Sequence, residues 1–66
     1  MQPDGGGEVY VEFVVQGHFV KVTAIDSQTG VEASVVGPAS ASRASLSDVA
    51  VRKLRYVLQK KTDGGH

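Results

Sequence analysis

The sequence predicts an α+β fold, a three-stranded antiparallel β-meander followed by one C-terminal α-helix packed on one sheet face (βββα). Three observations carry that prediction. Runs of alternating and β-branched residues fill Glu8 to Val36, two turn-forming breaks (Gln16-Gly17 and Ser27 to Gly30) divide them, and from Leu46 onward the apolar period lengthens from two to three and four.

The first run, Glu8–Val15, places Val9, Val11, Phe13 and Val15 on one face and Tyr10, Glu12 and Val14 on the other, the period-two signature of a strand. Gln16-Gly17 then reads as a two-residue hairpin loop, with glycine supplying a left-handed backbone at no steric cost. That loop predicts the pairs Val15 with His18, Phe13 with Val20, Glu12 with Lys21, Val11 with Val22, Tyr10 with Thr23 and Val9 with Ala24. Such cross-strand pairs contribute about 0.2–1 kcal/mol each, and a slip of one residue would send Phe13 and Val20 to opposite faces. The second strand is expected over His18–Ile25.

The second break is a four-residue loop, Ser27 to Gly30, closed by Asp26 and Val31. Gly30 takes the left-handed position, and the Asp26 side chain bonds nearby backbone N–H groups. The third strand, Val31–Val36, then pairs Ala24 with Ala33 and Val22 with Val35, so that all three strands share one apolar face. Gly37-Pro38 ends it, since proline cannot donate to a ladder.

A helix is expected over Ser42–Lys60. Leu46, Ala50, Leu54, Val57 and Leu58 form its apolar stripe, Val51 widens it, and Asp48, Arg52, Arg55 and Gln59 lie opposite. Ser45 with Asp48 three residues on is a variant capping box, with Ser40 or Ser42 as alternative caps. Lys60 and Lys61 stand where the helix dipole favours cations. The expected core is Val11, Phe13, Val20, Val22, Ala33, Val35, Leu46, Ala50, Leu54 and Val57. This is a single βββα domain over residues 8–61, between glycine-rich flexible tails, "MQPDGGG" (1–7) and "TDGGH" (62–66).

At 66 residues, one core supplies only about 3–5 kcal/mol of net stability without help. The chain has no cysteine and two histidines, so neither a disulfide nor a Cys/His zinc site can supply that help, and oligomerisation is the remaining common device. Seven Lys and Arg balance seven Asp and Glu, which argues against a dedicated nucleic-acid binder. The distribution is uneven: two bases less six acids leave −4 over Met1 to Asp48, and five bases less one acid leave +4 over Val49 to His66. The start carries no basic, apolar leader, and no run approaches the ~20 apolar residues of a membrane span, so a cytoplasmic location without membrane partners is expected.

No constellation points to catalysis, a cofactor or a metal. Gly5-Gly6-Gly7 precedes a strand and lacks the Lys-Ser/Thr of a phosphate loop, so it reads as linker. Glu8 and Glu12 share a strand face, but a chain of this size offers little room to perturb paired carboxylates. His18 stands alone at a turn, and Ser40, Ser42, Ser45 and Ser47 have no adjacent base and read as caps. "GPASAS" at a helix start has the form of an anion site, as most helix starts do.

"GEVYVEFV", "VKVTAIDSQTGVEASVVGPASAS" and "AVRKLRYVLQKK" carry a resemblance over about Glu8 to Lys61. The chain resembles a family of short uncharacterised alphaproteobacterial proteins, a domain of unknown function, whose signature is "AID..TG.E.S.VGPASAS" followed by "VRKL.YVL". Ser27 stands where that family usually has proline, which leaves the turn intact. The resemblance implies a shared fold and a bacterial cytoplasmic setting, and carries no catalytic residue across.

The leading expectation is a small non-catalytic interaction or structural module, a homodimer or the docking site of an unidentified protein partner. The sheet face away from the helix is the candidate surface: Tyr10, Val14, Phe19, Ile25 and Val36 among Glu12, Lys21, Thr23, Glu32 and Ser34, with Val14 paired to Phe19 and Val36 across from Lys21. The open edges of the first and third strands offer a second route, strand addition. The alternative is a nucleic-acid binder using the basic helix, with Arg52, Arg55, Lys60 and Lys61 as phosphate contacts. An enzyme is the remote third reading.

Overall fold

The structure, a computed structural model, describes the backbone of residues 8–63 and the side chains of residues 8–60. The expected tail over residues 1–7 lies outside the described residues, as do positions 64–66. The chain forms β1 (Val9–Gln16), β2 (Phe19–Asp26), β3 (Glu32–Pro38) and α1 (Arg43–Asp63), in that order. The strands make one antiparallel sheet in the order β1-β2-β3, and α1 packs on one of its faces, which is the βββα architecture read from the periodicity.

The β2–β3 register is the one the four-residue loop predicts, with Val22 opposite Val35 and Ala24 opposite Ala33. Asp26 builds that loop. Its Oδ2 accepts hydrogen bonds from the Thr29 N–H (2.9 Å) and hydroxyl (2.7 Å), its carbonyl accepts from Gly30 N–H (2.8 Å), and its own N–H donates to the Val31 carbonyl (2.9 Å). Gly30, at φ 79°, supplies the left-handed residue. The carboxylate is buried, so its bonds are shielded from water and hold the loop shut.

The β1–β2 register corrects the expectation by two residues. Phe13 faces Val22, not Val20; Val15 faces Val20, Val11 faces Ala24, Glu12 faces Thr23 and Val14 faces Lys21. The loop is Gly17-His18, closed by Gln16 and Phe19, in place of Gln16-Gly17. Gly17 has φ 59° and His18 has no positive φ, which is the II′ pattern with glycine first. Placing glycine second would have required Gln16 in a left-handed conformation, which costs a non-glycine residue about 1–2 kcal/mol. A shift of two leaves every side chain on its face, so the core survives the correction.

All ten expected core residues belong to one cluster, with Val20, Val22, Ala33, Ala50 and Leu54 buried and the others packed against them; Ala24 is a further buried member. Ser42 caps α1: its hydroxyl accepts the Ser45 N–H (3.2 Å) and its carbonyl the Leu46 N–H (3.1 Å). Ser45 is therefore the third helical residue and not the cap. The helix runs three residues past the expected Lys60.

β3 also extends beyond Val36, to Pro38, and Ala39 N–H still reaches the His18 carbonyl at 2.7 Å. The strand tolerates this proline because ladder bonds to β2 fall on odd residues of β3, so position 38 turns its nitrogen to the open edge. Gly37 is buried, and a Cβ built there would lie 2.7 Å from Leu46 Cδ2. The absence of a side chain lets the first turn of α1 seat on the end of β3.

Candidate functional site

The face of the sheet away from α1 is laid out in four cross-strand rows. From the hairpin end they read Gln16–Phe19–Pro38, Val14–Lys21–Val36, Glu12–Thr23–Ser34 and Tyr10–Ile25–Glu32. The expected direct pairing of Val14 with Phe19 is not found: the corrected register puts Lys21 beside Val14 and Gln16 beside Phe19. Lys21 sits between Val14 and Val36, as expected on the Val36 side.

The candidate surface residues therefore separate into two groups. Phe19 (59% exposed), Val14 (46%) and Val36 (66%) surround Lys21 at the hairpin end. Tyr10 and Ile25 pair at the other end, Tyr10 exposed and Ile25 half-buried. Between them runs a polar row in which the Thr23 and Ser34 hydroxyls are hydrogen-bonded at 2.8 Å, in the buried centre of the sheet. The bond satisfies both hydroxyls without a charged partner, so this row serves the fold.

At the Tyr10 end, the phenol donates to Glu8 Oε1 at 2.9 Å. That bond, and secondly the negative charge itself, raise the Tyr10 pKa above its ordinary value of 10.0. Glu8 is tied down in turn by its own N–H to the Ser27 hydroxyl (2.9 Å) and its carbonyl to the Ser27 N–H (2.9 Å). Glu12 is placed with the Thr23 row and does not meet Glu8 as a working pair of acids.

The basic face of α1 is engaged largely within the protein. Arg52 is bridged to Asp48 (2.9 Å) one turn earlier, an exposed pair of small energetic weight. Lys60 stands 5.9 Å from the Tyr56 ring centroid. Lys53, which sequence reasoning passed over, donates to the Ser34 carbonyl at 2.9 Å. Arg55 is exposed on the outer side of the helix, and the Lys61 side chain lies outside the described residues. Arg43, also passed over, stacks over Phe13 at 5.1 Å. Its only signal in the sequence is its place in the first turn. Among the described residues no group of three or more His, Cys, Asp and Glu could hold a metal ion, and no helix is long and apolar enough to cross a membrane.

A family model described as a domain of unknown function, DUF6898, matches residues 6–61, and the chain belongs to that family. No curated protein and no solved structure matches the chain.

Proposed function

We propose that this DUF6898 domain is a small non-catalytic interaction module of the bacterial cytoplasm, whose contact surface is the hairpin end of the outer sheet face. The observation that carries the reading is the placement of Val14, Phe19 and Val36, all largely exposed, around the single cation Lys21. Three such side chains gathered around one cation form a patch that a partner surface of apolar residues around one carboxylate would cover. Phe19 supplies the aromatic anchor that interfaces favour.

Phosphate contact by α1 is the weaker alternative, because the formal charge of the chain is balanced and Lys53 is engaged by the Ser34 carbonyl. The test uses the tagged full chain, its Phe19→Ser variant and its Lys21→Glu variant as parallel baits. A protein retained by the wild type and lost from both variants, with thermal stability unchanged, supports the reading. Identical retention by all three, or a binding that falls steeply with salt and responds to Arg55→Ala alone, overturns it.

A further inference from the structure

The helix covers only part of the sheet. α1 lies over β2 and β3 and leaves the inner face of β1 without a matching cover: Val9 is 39% and Val15 53% exposed, with Val11 and Phe13 half-buried. The same residues carry an edge that pairs with no other strand among the described residues. Ser27 N–H bonds the Glu8 carbonyl, so the even-numbered residues of β1 make the ladder bonds to β2. The N–H and C=O groups of Val9, Val11, Phe13 and Val15 therefore point outward, beside their own uncovered side chains.

The other edge is partly blunted. Outward-facing Pro38 offers no N–H there, and Lys53 occupies the outward Ser34 carbonyl. β1, "VYVEFVVQ", has no proline, lysine, glycine or bulge over its eight residues. An edge so long, apolar and unguarded is the feature that folded proteins blunt unless it is used.

We propose that β1 is a self-pairing strand: two copies join antiparallel, β1 to β1, about a two-fold axis near Val11, giving a six-stranded sheet with both helices on one face. This second surface rests on the reading of the chain as an interaction module and names one of its partners, a second copy. A second copy is the occupant that fits both halves of the surface. Its own β1 presents outward groups at the same odd positions, so the ladder closes reciprocally. The flank of its helix next to β1 carries half-buried Val51, on the side marked by the Arg43 contact with Phe13, and joins the uncovered valines into one continuous core.

Charge selects the axis. An axis at Glu12 would set the two Glu12 carboxylates directly opposite one another, and an axis at Phe13 would bring the two Arg43 guanidiniums together. At Val11 the pairs are Val9 with Phe13, Tyr10 with Glu12 and Glu8 with Val14, and no like charges meet. A standard interface buries about 800 Å² per partner, and the strand and the helix flank both contribute to it. The chain has no disulfide to substitute for that area.

The test combines sedimentation equilibrium from micromolar to millimolar protein with residue-resolved amide exchange at both ends of that range. The full chain is expected to dimerise, with the amides of Val9, Val11 and Phe13 slowing about tenfold or more at high concentration. The amides of Tyr10, Glu12 and Val14, bonded to β2 in either state, serve as the internal reference. Val9→Lys, which sets a lysine against Phe13 and Arg43 of the second copy, is expected to raise the dissociation constant at least tenfold; Val36→Lys, on the outer face at β3, leaves it unchanged. A chain monomeric at millimolar concentration with the three odd amides exchanging freely overturns the proposal and leaves the proposed function standing. A dimer broken by Val36→Lys and indifferent to Val9→Lys also overturns it, and moves self-association to the outer face.

Discussion

Replacing Gly37 by alanine tests how α1 is seated on the sheet. The added Cβ would lie 2.7 Å from Leu46 Cδ2, 3.3 Å from Cδ1 and 3.6 Å from Cγ, so the leucine must move. Crowding a filled core costs about 1–3 kcal/mol, and the lower freedom of alanine in the unfolded chain returns about 0.4–1 kcal/mol. The obstruction is the far end of a flexible, half-buried side chain, which keeps the cost near the lower limit. The expected net loss is about 1 kcal/mol, or a Tm fall of roughly 4–8 °C for a domain of this size. Gly37→Val adds two more carbons to the same space and should lose about 3 kcal/mol. Urea unfolding of Gly37→Ala, Leu46→Ala and the double variant forms the assay. Leu46→Ala removes the obstruction, so the double variant should be about 1 kcal/mol more stable than the sum of the single losses predicts. Strict additivity, or a Gly37→Ala protein as stable as the wild type, would refute the close approach as the reason for glycine.

Four further outcomes follow from the same structure. Asp26→Ala strips two acceptor contacts from a buried loop and should cost about 2–3 kcal/mol, with the Thr29 amide losing its exchange protection. Ser42→Ala should cost about 1 kcal/mol and Ser45→Ala only a few tenths, measured by thermal unfolding, because Ser42 holds the cap. Gly17→Ala places a side chain at φ 59° and should lose about 1 kcal/mol, while cross-strand NOEs continue to connect Phe13 with Val22. For Tyr10, ultraviolet titration should show ionisation above pH 10, and Glu8→Gln should bring it down. The folded phenol holds its proton longer than the unfolded one, so the Glu8 contact favours the fold below pH 10 and is lost as pH climbs through the raised value.

How much of this was legible depends on what kind of interaction decides each element. The Ser27–Gly30 loop was fully legible because its determinants, Asp26 and Gly30, act within a few residues of each other. The Gly17-His18 turn was not, since alternation is blind to a slip of two: both frames put Phe13, Val20 and Val22 on the inner face. Only the seat of the glycine, first for II′ and second for I′, tells the frames apart. That one ambiguity propagated outward and mispaired Val14 on the candidate surface. Gly37-Pro38 was read as the end of the third strand but lies within it, and the closeness of Gly37 to Leu46 is a tertiary fact with no local trace. Lys53 and Arg43 were hidden for the same reason, as each meets a residue from another element.

The contact from Lys53 to the Ser34 carbonyl has a meaning for growth as well as for stability. A sheet with two bare margins behaves as a difunctional monomer and can add copies without end, which is the route to fibres. Here a lysine and a proline blunt one margin, which disfavours addition there. When the strand added at β1 is the β1 of a second copy, the product exposes only its two β3 margins, each blunted by the same lysine and proline, so further addition is disfavoured.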